Sequence, residues 1–133
     1  TIDSFDGSDV DSLASAQVDG ASSSNEFGAT FDADADFDGD GNNDLIVGLE
    51  GVGPNTEGTV YLFFGPLSGS IDADSADAKF HGNSSGDKLG NNVSFLGDVD
   101  GTGTGAIIMD AESDDNSEGT DVGGAYLILD FGL

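Results

Sequence analysis

The feature that most constrains the fold of this chain is an internal duplication. Residues 13–48 align with residues 75–110 at a constant offset of 62 without gaps, and eleven of the 36 aligned pairs are identical. The other apolar positions exchange like for like, as in Phe27/Leu89 and Leu45/Ile107. A repeat of this length predicts two copies of one structural unit, and any fold for the chain has to accommodate both.

Strand patterns occur at similar places in both copies. Short apolar and β-branched segments are separated by clusters of Gly, Asn, Ser and Asp, and no helical period lasts longer than one turn. The sequence therefore predicts an all-β protein of two four-stranded antiparallel sheets, each a meander. We expect strands near 13–19, 27–34, 44–49, 58–64, 75–81, 89–96, 106–110 and 123–130. The expected divisions are an acidic N-terminal arm at 1–12, a first repeat at 13–74 and a second repeat at 75–133.

A cation-binding loop is predicted between the first two strands of the first copy. Residues 36–44 place carboxylates at relative positions 1, 3, 5 and 9, with a glycine at position 6. Ca²⁺ takes about six to eight oxygen ligands, and glycines permit the tight curl that turns alternating side chains onto one ion. Position 12 is Val rather than Glu and the flanks are strand-like, so the loop is not an EF-hand. The predicted Ca²⁺ ligands are Asp36, Asp38, Asp40, Asn42 through its backbone carbonyl, and Asp44. The alternative is an acidic turn in an acidic protein.

The equivalent loop of the second copy is degenerate. Asp98 and Asp100 keep positions 1 and 3, but position 5 is Thr102 and position 9 is Ala106. Because two of the four carboxylates are lost, we expect weak metal binding or none at Asp98, Asp100, Thr102 and Thr104. Hydrogen bonds from hydroxyl groups to the backbone are expected to hold this turn instead.

These residues together resemble the FG-GAP repeats that build the β-propeller of integrin α subunits. The resemblance is carried by Phe27-Gly28 and Leu89-Gly90, by the loop at 36–44 followed by Leu45-Ile46-Val47-Gly48, and by Val60-Tyr61-Leu62-Phe63-Phe64-Gly65-Pro66. It covers nearly the whole chain, and it implies propeller-blade-like sheets with the cation loop between the first and second strands. It also implies a cell-surface role such as adhesion. The chain departs from the family where Gly48-Leu49-Glu50 replaces Gly-Ala-Pro, and it carries fewer repeats than a family propeller.

The charge of the chain restricts its partners and its surroundings. The chain has 27 Asp and Glu residues and only two basic residues, Lys79 and Lys88, so its formal net charge is −25. Nucleic acid is excluded as a partner because nothing neutralises its phosphates, and an anionic membrane surface repels such a chain. No apolar run approaches the roughly 20 residues of a membrane-spanning helix, so membrane insertion is not expected. Self-repulsion destabilises the compact state unless cations or salt offset it, which predicts bound divalent metal, a saline habitat, or both.

Other titratable residues fit no site template. His81 is the only histidine and Cys is absent, so a zinc site or nucleophile is unsupported and a solvent-facing strand position is expected. Asp114, Asp115, Glu118 and Asp121 follow no metal-loop spacing, which favours a solvated acidic loop over a second ion site. Glycosidase-like chemistry needs a carboxyl group in apolar surroundings with a separate base, whereas the obvious carboxylates belong to the metal loop. We therefore expect no enzymatic activity.

Two classes of function fit these observations. The first is a calcium-binding structural protein that is secreted or at the cell surface. A small loop of modest affinity binds Ca²⁺ only where the free Ca²⁺ concentration is high, which is an extracellular condition. The strand count places one outer strand near 13–19 ahead of a complete sheet and leaves three strands near 89–130. We expect the strand at 13–19 to complete the final sheet within the chain or, preferably, between chains, giving a homo-oligomer, ring or filament. The alternative is a receptor-type module, a fragment of a longer propeller, that binds a protein or glycan ligand.

Overall fold

The computed structural model describes residues 10–21, 27–51, 56–115 and 119–129. Within these ranges the protein is all-β, as the sequence predicts, with one turn of α-helix (α1, Val10–Leu13) and one 3₁₀ turn (Ala73–Ser75) between strands. The strands are β1 Ala16–Asp19, β2 Thr30–Asp32, β3 Leu45–Leu49, β4 Thr59–Phe63, β5 Gly69–Asp72, β6 Ala78–His81, β7 Leu89–Leu96, β8 Ala106–Ala111 and β9 Gly124–Ile128. Most of the predicted arm at 1–12 lies outside the described residues.

The first sheet contains four antiparallel strands in the order β2-β3-β4-β6. Its central strands, β3 and β4, pair along their whole lengths, from Leu45 opposite Phe63 to Leu49 opposite Thr59. Both read as nearly continuous apolar segments, which is typical of strands buried on two faces. The four-stranded antiparallel sheet predicted for the first copy is therefore observed, and residues 36–44 lie in the connection from β2 to β3.

The second sheet contains three antiparallel strands, β7-β8-β9, in the described part of the chain. Here the observed topology differs from the expectation that the strand at 13–19 completes this sheet within the chain. Instead β1 pairs in parallel with β5, which places Val18 opposite Ile71. Both side chains pack against the apolar cluster of Tyr61 and Phe63 on the first sheet. Because this contact removes apolar surface from water, β1 is held beside the first sheet rather than the second.

Two apolar clusters lie on the two faces of the first sheet. The larger joins both sheets and consists of Phe37, Ile46, Val60, Leu62, Leu89, Val93, Phe95, Ile107, Met109 and Ala111. The smaller covers the opposite face and consists of Val47, Leu49, Tyr61, Phe63 and Ala73. Successive residues of β3 and β4 thus face different clusters, as the alternation of a strand requires. The two repeats consequently share one core.

Close backbone packing and one carboxylate join the two repeats. A Cβ atom on Gly48 would lie 2.2 Å from the carbonyl oxygen of Gly90, so these backbones approach as closely as glycine allows. Asp32 accepts hydrogen bonds from the Ser94 hydroxyl and the Phe95 amide, both at 2.8 Å. Partial burial raises the pKa of Asp32, but these and neighbouring hydrogen bonds outweigh burial and hold it below the usual 3.8.

Candidate metal centre

Asp36 organises the backbone of the first loop. Its two carboxylate oxygens accept hydrogen bonds from the amides of Gly39 and Gly41, both at 2.8 Å. These glycines have φ angles of +80° and +94°, which residues with side chains rarely adopt. The loop therefore curls around its first carboxylate, as the glycine positions predict.

Three carboxylates converge inside this curl. Asp36, Asp38 and Asp40 each offer one oxygen, and these oxygens lie within 4.8 Å of one another. Asp38 accepts the Asp40 amide at 3.0 Å, and Asp40 accepts the Asn42 amide at 2.7 Å, so each carboxylate orients the backbone of the next. The Asn42 side chain also donates to both Asp40 oxygens, at 2.9 and 3.0 Å. A set of hard oxygen donors of this kind fits Ca²⁺.

Asp44 has different surroundings from the other three carboxylates. It is only 1% exposed, and one oxygen accepts the Phe37 amide at 2.7 Å and the Asp38 amide at 3.4 Å. The other oxygen accepts the amide of Gly65 at 2.8 Å, just beyond β4. Asp44 therefore fastens the loop to the first sheet. The structure gathers the carboxylates at positions 1, 3 and 5, while metal ligation by positions 7 and 9 stays a prediction.

The first loop concentrates negative charge. Partial removal from solvent raises the pKa of Asp38, and the charges of Asp40, Asp44 and Asp36 raise it further, although the Asp40 amide hydrogen bond opposes them. The net direction is upward, which means that the surroundings disfavour the ionised form. A bound cation would reverse that preference by supplying the missing positive charge.

The second loop has the same backbone with a different centre. Asp98 accepts the amides of Gly101 at 2.6 Å and Gly103 at 2.9 Å, and these glycines have φ angles of +81° and +96°. In place of a third carboxylate, the Thr102 hydroxyl donates to Asp100 at 2.6 Å. That hydroxyl and the Thr102 amide lower the pKa of Asp100, the counterpart of Asp38. The predicted hydroxyl-to-backbone hydrogen bonds are not what holds this turn: the Thr102 hydroxyl bonds side chains, and the backbone amides donate to the Asp98 and Asp100 carboxylates. Weak or absent metal binding at this loop stays a prediction.

The two loops also differ in how they are anchored. Phe37 is buried beneath the first loop, with its ring centroid 6.4 Å from that of Phe95, whereas its counterpart Val99 is 52% exposed. The buried anchor Asp44 has Ala106 as its counterpart. The first loop is therefore fixed to the core by an aromatic ring and a carboxylate that the second loop lacks.

A pocket of about 210 Å³ lies between the end of β6 and the strands β8 and β9. It combines apolar side chains with two buried carboxylates, Asp87 and Asp114. Tyr126 donates its hydroxyl to Asp114 at 2.6 Å, and this bond, together with loss of solvent, raises the pKa of Tyr126. The prediction of a solvated acidic loop is therefore wrong for Asp114, because the tyrosine hydroxyl compensates for its burial. Glu118 lies outside the described residues.

Sequence reasoning did not identify Asp87 as a buried residue. Its carboxylate accepts the amide of Ser84 at 2.7 Å, and Ser-x-x-Asp spacing is typical of such local turns, so a signal existed. His81 is exposed, as predicted, with its Nδ1 atom 3.1 Å from the hydroxyl oxygen of Thr59. Neither residue adds a ligand to the metal loop.

Both lysines pair with acidic side chains away from the metal loop. The Lys79 Nζ atom lies 3.0 Å from Asp74 and 5.4 Å from the ring centroid of Tyr61. Lys88 pairs with Glu112, which raises the pKa of Lys88. Neither lysine therefore pairs with the three-carboxylate cluster.

No protein-family model matches the chain, and no curated protein is detectably similar to it in sequence. The resemblance to FG-GAP repeats therefore rests on the residues and motifs quoted above. Among the described residues no helix is long and apolar enough to cross a membrane.

Proposed function

We propose that this protein is a calcium-binding structural protein, secreted or at a cell surface, that self-associates in adhesion or filament formation. The supporting observation is the contrast between the two loops. Both share one backbone curl, but the first brings Asp36, Asp38 and Asp40 within 4.8 Å of one another and raises the pKa of Asp38. In the second, a threonine hydroxyl already compensates Asp100. This contrast supports a bound cation in the first loop rather than in the second.

Ca²⁺ is the cation that suits this loop best. Its donors are oxygens from carboxylates, supplemented in the proposal by Asn42 and Asp44, and such donors favour Ca²⁺ over metals that prefer nitrogen or sulfur. By comparison with other extracellular modules, we expect a dissociation constant of roughly 10⁻⁴ M or somewhat tighter. Free Ca²⁺ at that level is an extracellular condition, which is why we place the protein outside the cell.

The proposed architecture is a pair of propeller-blade-like sheets. Its support is the four-stranded antiparallel first sheet, the cation loop between β2 and β3, and the packing of both sheets on one core. The proposed role is structural rather than catalytic, since the loop carboxyl with a raised pKa does not lie in the apolar cleft beside a base that a general acid requires. Asp38, the loop carboxyl with a raised pKa, lies instead in an open surface loop.

Calorimetric titration with Ca²⁺ tests the proposal. We compare the wild-type chain with Asp40→Ala in the first loop and Asp100→Ala in the second, because each variant removes one negative charge. The expected result is one Ca²⁺ per chain in the wild type and in Asp100→Ala, with binding lost or strongly weakened in Asp40→Ala. Unchanged Ca²⁺ stoichiometry in Asp40→Ala would sink the assignment.

A receptor-type module that binds a protein or glycan ligand is the second candidate. One observation favours it: the pocket of about 210 Å³ beside β9 combines apolar walls with the Tyr126 hydroxyl and the Asp114 carboxylate. Mono- and disaccharides that raise the melting temperature of the wild type, but not of Tyr126→Phe, would support this candidate. An equal effect, or none, on both proteins would contradict it.

A further inference from the structure

The outer edge of β9 is an unprotected sheet edge. In the described part of the chain β9 pairs with β8 alone, so no described strand pairs with the amide and carbonyl groups on its other side. Proteins usually protect such edges with charged residues, proline or a bulge. The segment Gly124–Ile128 contains no charged residue and no proline, and its pairing with β8 is regular throughout.

The outer strands of the first sheet are different. β2 carries Asp32, and β6 carries Lys79 and His81. β9 has no such residue and exposes an apolar side chain instead, since Leu127 is 51% exposed. β7, the other outer strand of the second sheet, is also uncharged, but its pairing with β8 has a register shift between Leu89 and Val93. Its residues Ser94 and Phe95 also donate hydrogen bonds to Asp32 of the first sheet. Of the sheet edges in the described residues, β9 is therefore the one suited to strand addition.

The internal duplication identifies the kind of strand that fits this edge. β9 corresponds to β4 at an offset of 65, with Tyr126 matching Tyr61, and the outer neighbour of β4 is β6. β6 corresponds in turn to β1 at an offset of 62, with Ala78 matching Ala16. A strand like β1 is thus the expected neighbour of β9. Within its own chain, however, β1 lies beside the first sheet and pairs with β5.

We propose that β9 of one copy pairs antiparallel with β1 of a second copy. The duplication sets the register: Leu127 lies opposite Ala16, and Ala125 opposite Val18, as Leu62 lies opposite Ala78 and Val60 opposite Phe80 in the first sheet. In the described part of the chain β1 has β5 as its single strand neighbour, so its second edge is open to the partner. This inference rests on the proposed self-association and names the surfaces that produce it.

Exposed apolar side chains beside both strands support this pairing. The turn α1, which directly precedes β1, exposes 75% of Val10 and 51% of Leu13. The pocket beside β9 has an apolar wall that includes the partly exposed side chain of Ile128. In the first sheet, the segment that precedes β6 covers the corresponding face and buries Ala73 there. Turn α1 of the second copy covers the pocket in the same way, which removes both exposed patches from water.

Charge determines the conditions under which the copies associate. The net charge of −25 on each copy opposes the contact, although the paired strands carry only Asp19 between them. Salt screens this repulsion, because the Debye length falls to about 3 Å at 1 M. Association therefore strengthens with salt. The contact joins one end of a copy to the other end of the next, so it builds a ring or a filament.

Disulfide trapping between two single-cysteine variants tests the register directly. The chain has no cysteine, so an engineered thiol can pair only with another engineered thiol. Ala16→Cys is mixed with a mass-tagged Leu127→Cys in 1 M NaCl and oxidised. Residues opposite each other on antiparallel strands have Cα atoms about 4.5–5.5 Å apart, within disulfide range, so we expect the mixed dimer as the main product. The Ala16→Cys and Ala125→Cys mixture should give less, because diagonal neighbours lie about 7–8 Å apart.

Val99→Cys provides the matched control, because Val99 and Leu127 are 52% and 51% exposed. If Ala16→Cys forms no more mixed dimer with Leu127→Cys than with Val99→Cys, the proposal is overturned. Leu127→Lys should also reduce the particle to the monomer mass of 13.3 kDa, while Val99→Lys keeps the wild-type mass. A Leu127→Lys sample that keeps the particle mass of the wild type contradicts the proposal as well. If the cysteine variants give the expected mixed dimer but the wild type binds no Ca²⁺, the calcium role is refuted and this surface stays in place.

Discussion

Replacing Asp44 separates the structural role of the loop from its metal-binding role. In Asp44→Ala, the amides of Phe37 and Gly65, now at 2.7 and 2.8 Å from the carboxylate, lose their acceptor. Each buried donor left without a partner costs about 1–3 kcal/mol, and release of a buried charge offsets part of that sum. We therefore expect a loss of about 2–4 kcal/mol, a large share of the stability of a small domain. Urea unfolding in the presence of a chelator measures it.

Asp40→Ala is the counterpart experiment in the same loop. Asp40 is exposed, so in chelator this substitution should change the free energy of unfolding by less than about 0.5 kcal/mol. With Ca²⁺ at 100 times the dissociation constant, the wild type gains about 2.7 kcal/mol by mass action, and Asp40→Ala should lose that gain. The reasoning is refuted if Asp44→Ala costs no more than Asp40→Ala when both are measured in chelator.

Two further predictions concern charge. If repulsion among the 27 acidic residues governs stability, the melting temperature should rise with NaCl and level off near 1 M, where the Debye length is about 3 Å; a flat or falling series would contradict this. Because the folded-state pKa of Asp32 lies below 3.8, its hydrogen bonds to Ser94 and Phe95 stabilise the fold at higher pH and are lost as the pH falls through that pKa. The difference in unfolding free energy between wild type and Asp32→Asn should therefore shrink below pH 3.8, and a difference that grows on acidification would contradict the assignment.

The strands whose side chains form the core were predictable because each has a clear strand pattern in the sequence. β3, β4, β7 and β8 begin and end within a residue or so of the expected positions. β3, β4 and β8 are mainly apolar runs, whereas β7 alternates apolar and polar residues in its second half. β2 is shorter than expected because the loop begins at residue 33, before the acidic alternation ends. β5 is not among the predicted strands, since it has a single inward apolar residue, Ile71, and so no period to detect.

The roles of individual carboxylates were less predictable. Spacing alone predicts the same metal-binding role for Asp44 and Asp40. In the structure the buried Asp44 accepts hydrogen bonds from backbone amides, whereas Asp40 lies close to the carboxylates of Asp36 and Asp38. Asp114 lies in an acidic segment that reads as solvated, and only its contact with Tyr126 in the next strand reveals its burial. The partner of β1 depends on which apolar face it covers, a tertiary choice that a strand count does not contain.

The mass of the particle in solution, with and without chelator, tests the central claim most directly. Sedimentation in Ca²⁺ and 1 M NaCl should give a multiple of 13.3 kDa, because the cation fills the first loop and salt screens the charge that separates copies. Addition of a chelator at low salt should shift the mass toward 13.3 kDa, since both sources of charge compensation are then removed. A particle of 13.3 kDa under all of these conditions would contradict the account of a calcium-stabilised, self-associating protein.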